Sequence, residues 1–232
     1  MEAWAAIEPL ARRPVTTVHF GGGTPSALNG TALLRMVEGI RRLFGTGPET
    51  EWAVESTSGA LSGDALNQLA AAGFRRLHIG VQTLEDGLRR RIGRRENAAT
   101  VLERLGDALR RGFVTSADVI YGLPAQTAGA LMETLRRLVE AGVHGISLYR
   151  LNVSPRNRSF LEKCAEFACD ARRDYGLFQV AHDYLLQAGF GKNHFDHFAR
   201  SADGNLYATH AARGLVWHEG HAAGRAEGGC CA

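Results

Sequence analysis

Cysteine is missing from the first 163 residues of this 232-residue chain, whose four cysteines are Cys164, Cys169, Cys230 and Cys231. No disulfide framework can span the body of the protein, and this usage fits a reducing compartment, so a cytoplasmic location is expected. Long apolar runs are also missing. Nothing approaches the roughly 18 residues of a membrane span, no N-terminal stretch reads as a signal peptide, and no membrane partner is expected. Charge of one sign is scarcely in excess: 27 Lys and Arg face 24 Asp and Glu, for a net charge of +3. A solvated Arg-rich surface explains that imbalance as well as an acidic ligand does, and no nucleic-acid partner is expected. With 45% hydrophobic residues the chain is not of the disordered class.

Glycine is abundant instead, at 28 residues, and many glycines fall where strands should end. The length suits one large domain or two small ones. Residues 15–20 (Val-Thr-Thr-Val-His-Phe) are β-branched and short and predict a strand. Asn29 suits a helix N-cap, and Leu33, Leu34, Val37, Ile40, Leu43 and Phe44 follow at helical spacing. Further strands are expected over residues 51–55, 76–81, 115–121 and 145–151. Between them lie helices over about residues 64–72, after Asn97 and over about residues 128–141, closed by Gly73, Gly112 and Gly142. The alternation, at roughly 30 to 35 residues per unit, is that of a parallel sheet with crossover helices, either open or closed into a barrel.

Residues 1–13 look like the end of a helix, as if a βα unit had lost its strand. Residues 161–188 could hold one long helix or two. From about Gly214 periodicity is lost, and the expectation there is a disordered tail or the out-of-frame end of an interrupted reading frame.

Ligands of parallel α/β folds sit at the C-terminal ends of the strands. The strand ends here offer Gly21-Gly22-Gly23-Thr24-Pro25, then Glu55, then Gln82, then Asp118 with the turn Tyr121-Gly122-Leu123-Pro124, and finally Tyr149 and Asn152. Each signal has an ordinary structural alternative: a plain turn, a solvated strand end, an N-cap or a loop hydrogen bond.

Together these residues resemble a known family. Phe20-Gly-Gly-Gly-Thr-Pro-Ser26, Gly73-Phe-Arg-Arg-Leu-His-Ile-Gly-Val-Gln82, Ile92-Gly-Arg94 and Asp118-Val-Ile-Tyr-Gly-Leu-Pro124 resemble, in order and spacing, the radical S-adenosylmethionine enzymes of the oxygen-independent coproporphyrinogen III oxidase family. The resemblance covers about residues 5–210. It implies an α/β fold: a partial (βα)6 barrel lacking its first strand over 1–155, a C-terminal α+β extension near the substrate site over 156–213, and an irregular tail over 214–232. It implies that Gly22, Gly23 and Thr24 meet the methionine end of S-adenosylmethionine and that Glu55 is an acidic ligand contact. Gln82 and Asp118 would meet the ribose, Arg94 the methionine carboxylate as a bidentate donor, and Asn152 the adenosyl side. The implied chemistry is one-electron cleavage of the sulfonium to a 5′-deoxyadenosyl radical, with the cofactor carrying that step.

The family holds a [4Fe-4S] cluster through C-x3-C-x2-C in the loop after its first strand, and this chain has no ligands for it. Cys164 and Cys169 would point about 140° apart on a helix, and Cys230-Cys231 lies in the irregular tail. The expectation is that this chain alone cannot cleave S-adenosylmethionine.

His194-Phe-Asp-His-Phe-Ala-Arg200, with Asn205-Leu-Tyr207, resembles the segment after the barrel in tetrapyrrole enzymes, closest to the heme-utilisation branch that opens heme anaerobically with methyl transfer. The implied partners are a tetrapyrrole (heme or coproporphyrinogen III) and, in the intact family, an electron donor such as a flavodoxin or ferredoxin. His194 and His197 could ligate heme iron or a divalent metal, and basic residues such as Arg150, Arg156 and Arg200 could meet propionates. Histidines packed beside a barrel mouth and plain surface arginines are the alternatives. Two other readings stay open at this point: a heme chaperone of the same family without turnover, and a nonfunctional fragment.

Overall fold

The computed structural model describes residues 14–25, 28, 30–164, 170–192 and 196–200. The leading helix expected over 1–13, the Asn29 cap and the tail from residue 214 lie outside the described residues.

Five parallel strands stand in the sheet in chain order: β1 (Pro14–Phe20), β2 (Gly45–Thr57), β3 (Arg76–Gln82), β4 (Val114–Tyr121) and β5 (Gly145–Arg150). Two short strands, β6 (Gly191–Lys192) and β7 (His197–Ala199), complete the sheet in the order β1-β2-β3-β4-β5-β7-β6, and the sheet curls into a half-barrel. The helices among the described residues are α1 (Gly30–Leu43), α2 (Gly63–Ala72), α3 (Asp86–Arg91), α4 (Ala98–Arg110), α5 (Ala128–Ala141), α6 (Pro155–Leu161) and α7 (Ala171–Gln187).

The helices start and stop where side chains satisfy their ends. Ser62, Asn97 and Thr127 each accept from the backbone N–H three residues on, capping α2, α4 and α5. Gly73 and Gly142 take the left-handed conformation that ends α2 and α5. Leu66 and Leu69 of α2, Leu105 of α4 and Leu131, Leu135 and Leu138 of α5 are buried, as their spacing predicts. They meet the outward side chains of the strands, including Leu77, Ile79, Val119 and Leu148. Burying each such side chain contributes roughly 1.5 to 3 kcal/mol.

Two elements differ from the sequence expectation. Strand β2 begins at Gly45 rather than residue 51, because β1 pairs with it in two registers, Val15 with Thr46 and then Thr17 with Glu51. Thr50 holds that irregularity by donating its hydroxyl to the Val15 carbonyl at 2.6 Å and accepting from the Gly47 N–H at 2.9 Å. In α1 the buried residues are Leu33, Val37 and Gly39, and Leu34 faces outward, since the sheet contacts a narrower stripe than the apolar pattern offers. Over residues 161–188, where the sequence left one long helix or two open, α6 ends at Leu161 and α7 starts at Ala171, with Asp170 accepting from the N–H groups of Arg172 and Arg173.

Candidate ligand site on the inner face of the half-barrel

Side chains alternate across a strand, so one parity of each strand faces the inside of the curl. That parity carries His19 on β1, Glu55 and Thr57 on β2, His78 and Gly80 on β3, Ser116 and Asp118 on β4, and Ser147 and Tyr149 on β5. In register, Glu55 is opposite His78 and His78 opposite Ser116, while Thr57, Gly80, Asp118, Ser147 and His197 form the next row. Interiors of such sheets are normally filled with branched apolar residues. The polar rows here depart from that pattern, and their members bond across strands: His19 with Glu55, His78 with Ser116 and Ser147 with His197.

At the β1–β2 end, Glu55 uses both carboxylate oxygens. Oε1 accepts from His19 Nε2 at 3.1 Å, and Oε2 accepts from the Gly22 backbone N–H at 3.1 Å. The His19 hydrogen bond is the main cause holding the Glu55 carboxyl below its ordinary range; partial burial opposes it and the Gly22 bond reinforces it. The carboxylate is therefore ionised and aimed at the loop after β1. Gly22 and Gly23 have φ of 81° and 67°, and a Cβ at either would meet nothing within 4 Å. Their backbone is thus open to a ligand, in a conformation that disfavours other residues. Thr24 is half-buried beside them.

At β3 the chain makes an irregular step. The pairing with β4 shifts between Gly80 and Gln82, and Gln82 has a φ of 69°. Its amide folds back over Gly80, Nε2 lying 2.8 Å from where a Gly80 Cβ would be. Gln82 and Arg94 then line one cavity of about 220 Å³, walled by Ile92, Ile120, Leu123 and Phe160. Arg89 fixes this arm from beneath. It is almost wholly buried and donates through Nη1 to the Val81 and Thr83 carbonyls at 2.8 Å and through Nε to the Glu96 carbonyl at 2.7 Å. The Arg94 N–H in turn bonds the Arg89 carbonyl at 2.9 Å.

Asp118 is central. Burial is the largest influence on its carboxyl and pushes it up to about 6; the Ser147 hydroxyl opposes this, Glu55 adds to it, and His197 and His19 pull it back. Tyr149, half-exposed at the mouth, has its phenol pushed up to about 12, first by burial and then by the nearby Asp118 charge. Below these groups the His78 Nδ1 and Ser116 hydroxyl lie 2.6 Å apart, and the His78 ring centroid is 5.1 Å from that of His19.

The structure thus brings Gly22, Gly23, Thr24, Glu55, Gln82, Arg94 and Asp118 to one end and one face of the sheet. Asn152 stands exposed in the loop after β5, where its carbonyl accepts from Asn157 Nδ2 at 2.8 Å. His197 is buried on β7, bonded to Ser147 rather than presented at the mouth. Arg200 sits at the opposite end of β5: its N–H bonds the His144 carbonyl and its guanidinium lies 4.9 Å over the Phe190 ring. That placement is away from the face expected to meet a substrate, because β7 runs antiparallel and carries Arg200 toward the start of β5. Arg150, another basic candidate, points outward to Asp174 at 2.8 Å, and the side chain of the third, Arg156, lies outside what the structure describes. His194 lies outside the described residues. Sequence reasoning did not single out His19, His78, Ser116, Ser147 or Arg89. The signal was present as polar residues at alternate positions of strands that otherwise read as core.

The donor set has two parts with different outcomes. An ionised carboxylate, an open glycine loop and a carboxyl, on the face where Gln82 and the Arg94 guanidinium line an apolar-walled cavity, fit a ligand with ammonium, carboxylate, diol and aromatic portions, as S-adenosylmethionine has. The [4Fe-4S] cluster does not fit the residues present. Among the described residues no group of three or more His, Cys, Asp and Glu could hold a metal ion. Cys164, the cysteine described, turns its thiol to the Phe160 carbonyl at 3.6 Å.

A curled, largely parallel sheet with helices on its outer face and a polar inner face defines an α/β half-barrel. The family model of the Radical SAM superfamily matches residues 2–147, and the chain belongs to that superfamily. It is 30% identical over 196 residues to the oxygen-independent coproporphyrinogen III oxidase of Escherichia coli, covering 84% of this chain and 43% of that protein. It is 28% identical to an anaerobilin synthase of Escherichia coli O157:H7, covering 89% and 47%. The solved structure of the Escherichia coli coproporphyrinogen III oxidase, HemN, superposes with a TM-score of 0.74 at 30% identity, over 81% of this chain and 44% of that one. The chain spans about half the length of the curated relatives it matches. No helix among the described residues is long and apolar enough to cross a membrane.

Proposed function

We propose that this chain binds S-adenosylmethionine on the inner face of its half-barrel, as part of a radical enzyme that processes a tetrapyrrole. The observation that carries the reading is the convergence of Gln82 and Arg94 on one apolar-walled cavity, with Glu55 and Asp118 on the same face. Arg94 suits the methionine carboxylate as a planar bidentate donor, and Glu55 with the Gly22–Gly23 backbone suits the ammonium. Asp118 and Gln82 suit the ribose diol, and Ile92, Ile120 and Phe160 suit the adenine. When bound, the cofactor supplies one-electron chemistry at its sulfonium. The side chains named bind it, orient it and shield its adenosyl half from water.

The tetrapyrrole assignment draws on the resemblance to coproporphyrinogen III oxidase and anaerobilin synthase. Within that class, heme opening with methyl transfer and coproporphyrinogen oxidation both belong to the reading, with a flavodoxin or ferredoxin as electron donor to the whole enzyme.

Calorimetric titration of the chain with S-adenosylmethionine tests the reading. Saturable one-to-one binding is expected, weakened about tenfold or more by Arg94→Ala or Glu55→Gln, each of which removes a charge-assisted contact. Absence of binding by the unmodified chain, or full affinity in both variants, overturns it.

A further inference from the structure

Asp118 has an asymmetric setting. Its register neighbour on β3 is Gly80, which offers no side chain; its neighbour on β5 is Ser147, and the neighbour of Ser147 on β7 is His197. Residues opposite one another in adjacent strands project from the same face about 5 Å apart, within reach of short polar side chains. The Ser147 hydroxyl lies 3.0 Å from His197 Nδ1, and both residues are buried. In register that serine stands next to Asp118, and its hydroxyl favours the ionised form of the Asp118 carboxyl, as it does that of the Tyr149 phenol.

Hydrogen counting gives this row a direction. A serine hydroxyl has one hydrogen, and an ionised carboxylate has none to give. With Asp118 ionised, a Ser147 O–H turned to the neighbouring strand can donate to it, and the Ser147 oxygen is then left to accept. His197 must then donate from Nδ1–H. If Asp118 is protonated, the constraint lapses and the row can reverse. The imidazole tautomer, the hydroxyl rotor and the charge on Asp118 are thus set together.

We infer that Ser147 and His197 are positioning residues for Asp118, forming a directed hydrogen-bond chain from imidazole through hydroxyl to carboxylate that holds Asp118 in its ligand-accepting orientation. The consequence for binding rests on the proposed role of Asp118 as a cofactor contact; the chain itself does not. The strand that supplies His197 comes from outside the parallel βα repeat, so the segment after the barrel reaches the candidate site through this contact. The charged and titratable groups around Asp118 are His19 from β1, Glu55 from β2, His78 from β3, Arg94 from the loop after α3, Tyr149 from β5 and His197 from β7. Burial and Glu55 disfavour its ionised form, whereas Ser147, His197 and His19 favour it. Removing the chain leaves the opposing influences dominant.

The test is a carbon-13 NMR titration of the Asp118 side-chain carboxyl in the ligand-free chain, from pH 4 to pH 8. Unmodified protein, Ser147→Ala, His197→Ala and His197→Asn are compared. The midpoint should move up by about half a unit or more in the two alanine variants. It should move less in His197→Asn, whose amide keeps a donor near the Nδ1 position. S-adenosylmethionine affinity should fall in the alanine variants near pH 6 and recover toward the unmodified value by pH 8. A merely structural role would lower thermal stability without moving the midpoint. Folded Ser147→Ala and His197→Asn with unmoved midpoints overturn the inference, even should His197→Ala fail to fold. If the unmodified chain binds no S-adenosylmethionine, the proposed function fails while the carboxyl titration still decides the chain.

Discussion

Gly21 and Glu55 stand so close that a Cβ on Gly21 would lie 2.8 Å from the Oε1 atom of Glu55. That oxygen is the one His19 holds, and the other oxygen holds the next amide along, that of Gly22. A methyl at Gly21 therefore meets the movable end of a side chain rather than backbone. Gly21→Ala should lower stability by less than about 1 kcal/mol, within the range of ordinary surface changes. It should weaken S-adenosylmethionine binding about tenfold by displacing the carboxylate. Thermal melts and calorimetric titration separate the two effects; unaltered affinity would remove Glu55 from the ligand contacts.

Arg89 ties three carbonyls that otherwise have little reason to converge, those of Val81, Thr83 and Glu96. Its burial lowers its pKa, with Arg94 nearby acting the same way and Glu96 opposing. Arg89→Met keeps apolar bulk but takes the guanidinium from those acceptors, of which the Val81 carbonyl keeps the Thr83 N–H at 2.9 Å. A loss of roughly 3 to 5 kcal/mol in urea unfolding is expected, as for breaking a buried charged network. Ligand affinity should fall with it, since the Arg94 backbone hangs from Arg89. A loss under about 1 kcal/mol would mean that water replaces the guanidinium easily.

Asp118 works against the fold that carries it. A carboxyl raised from 3.8 to about 6 in the folded state favours folding most when protonated. That contribution is complete below about pH 4 and is lost as pH rises through about 6. Asp118→Asn cannot ionise and should be the more stable protein at pH 7.5, by on the order of 2 kcal/mol, with the advantage fading toward pH 4. It should also bind S-adenosylmethionine more weakly. Denaturant unfolding at several pH values checks the sign; an asparagine variant less stable at pH 7.5 would count against the burial effect.

Gly122 is placed under two constraints at once. Its φ is 82°, and a Cβ there would approach Asp174 Oδ1 to 2.9 Å. Gly122→Ala should destabilise by about 1 to 3 kcal/mol through strain and displacement of Asp174. Gly142→Ala, with similar φ but nothing within 4 Å of the added carbon, should show only the backbone part, about 1 kcal/mol. Equal losses in parallel melts would mean that Asp174 yields freely.

Much of the fold was legible because its signals are local. Asn97, Gly73 and Gly142 announce helix ends by side-chain and backbone chemistry that needs no tertiary contact. Leu131, Leu135 and Leu138 give the inward stripe of α5 by spacing alone. The early start of β2 was not legible, because the Thr50 bond to Val15 spans 35 positions. Of the site, Glu55, Gln82 and Asp118 could be read because strand ends host ligands in parallel folds. His78 and Ser147 could not, since each is polar for the sake of a partner strand far along the chain. Arg200 looked available in the sequence, yet the antiparallel course of β7, which no local pattern predicts, carries it to the far end of β5.

The five parallel strands lie side by side in the order in which a ribosome delivers them, so each can dock on the one before it as it emerges. Strand β7 breaks that rule: it must wait for α7 and then return to β5, across the 50 positions that separate Ser147 from His197. The last strand added is therefore the one that touches the Asp118 row. A nascent chain can thus complete its five parallel strands before His197 reaches Ser147, and if Asp118 has the role proposed for it, ligand competence arrives as a separate and later event than the shape of the sheet.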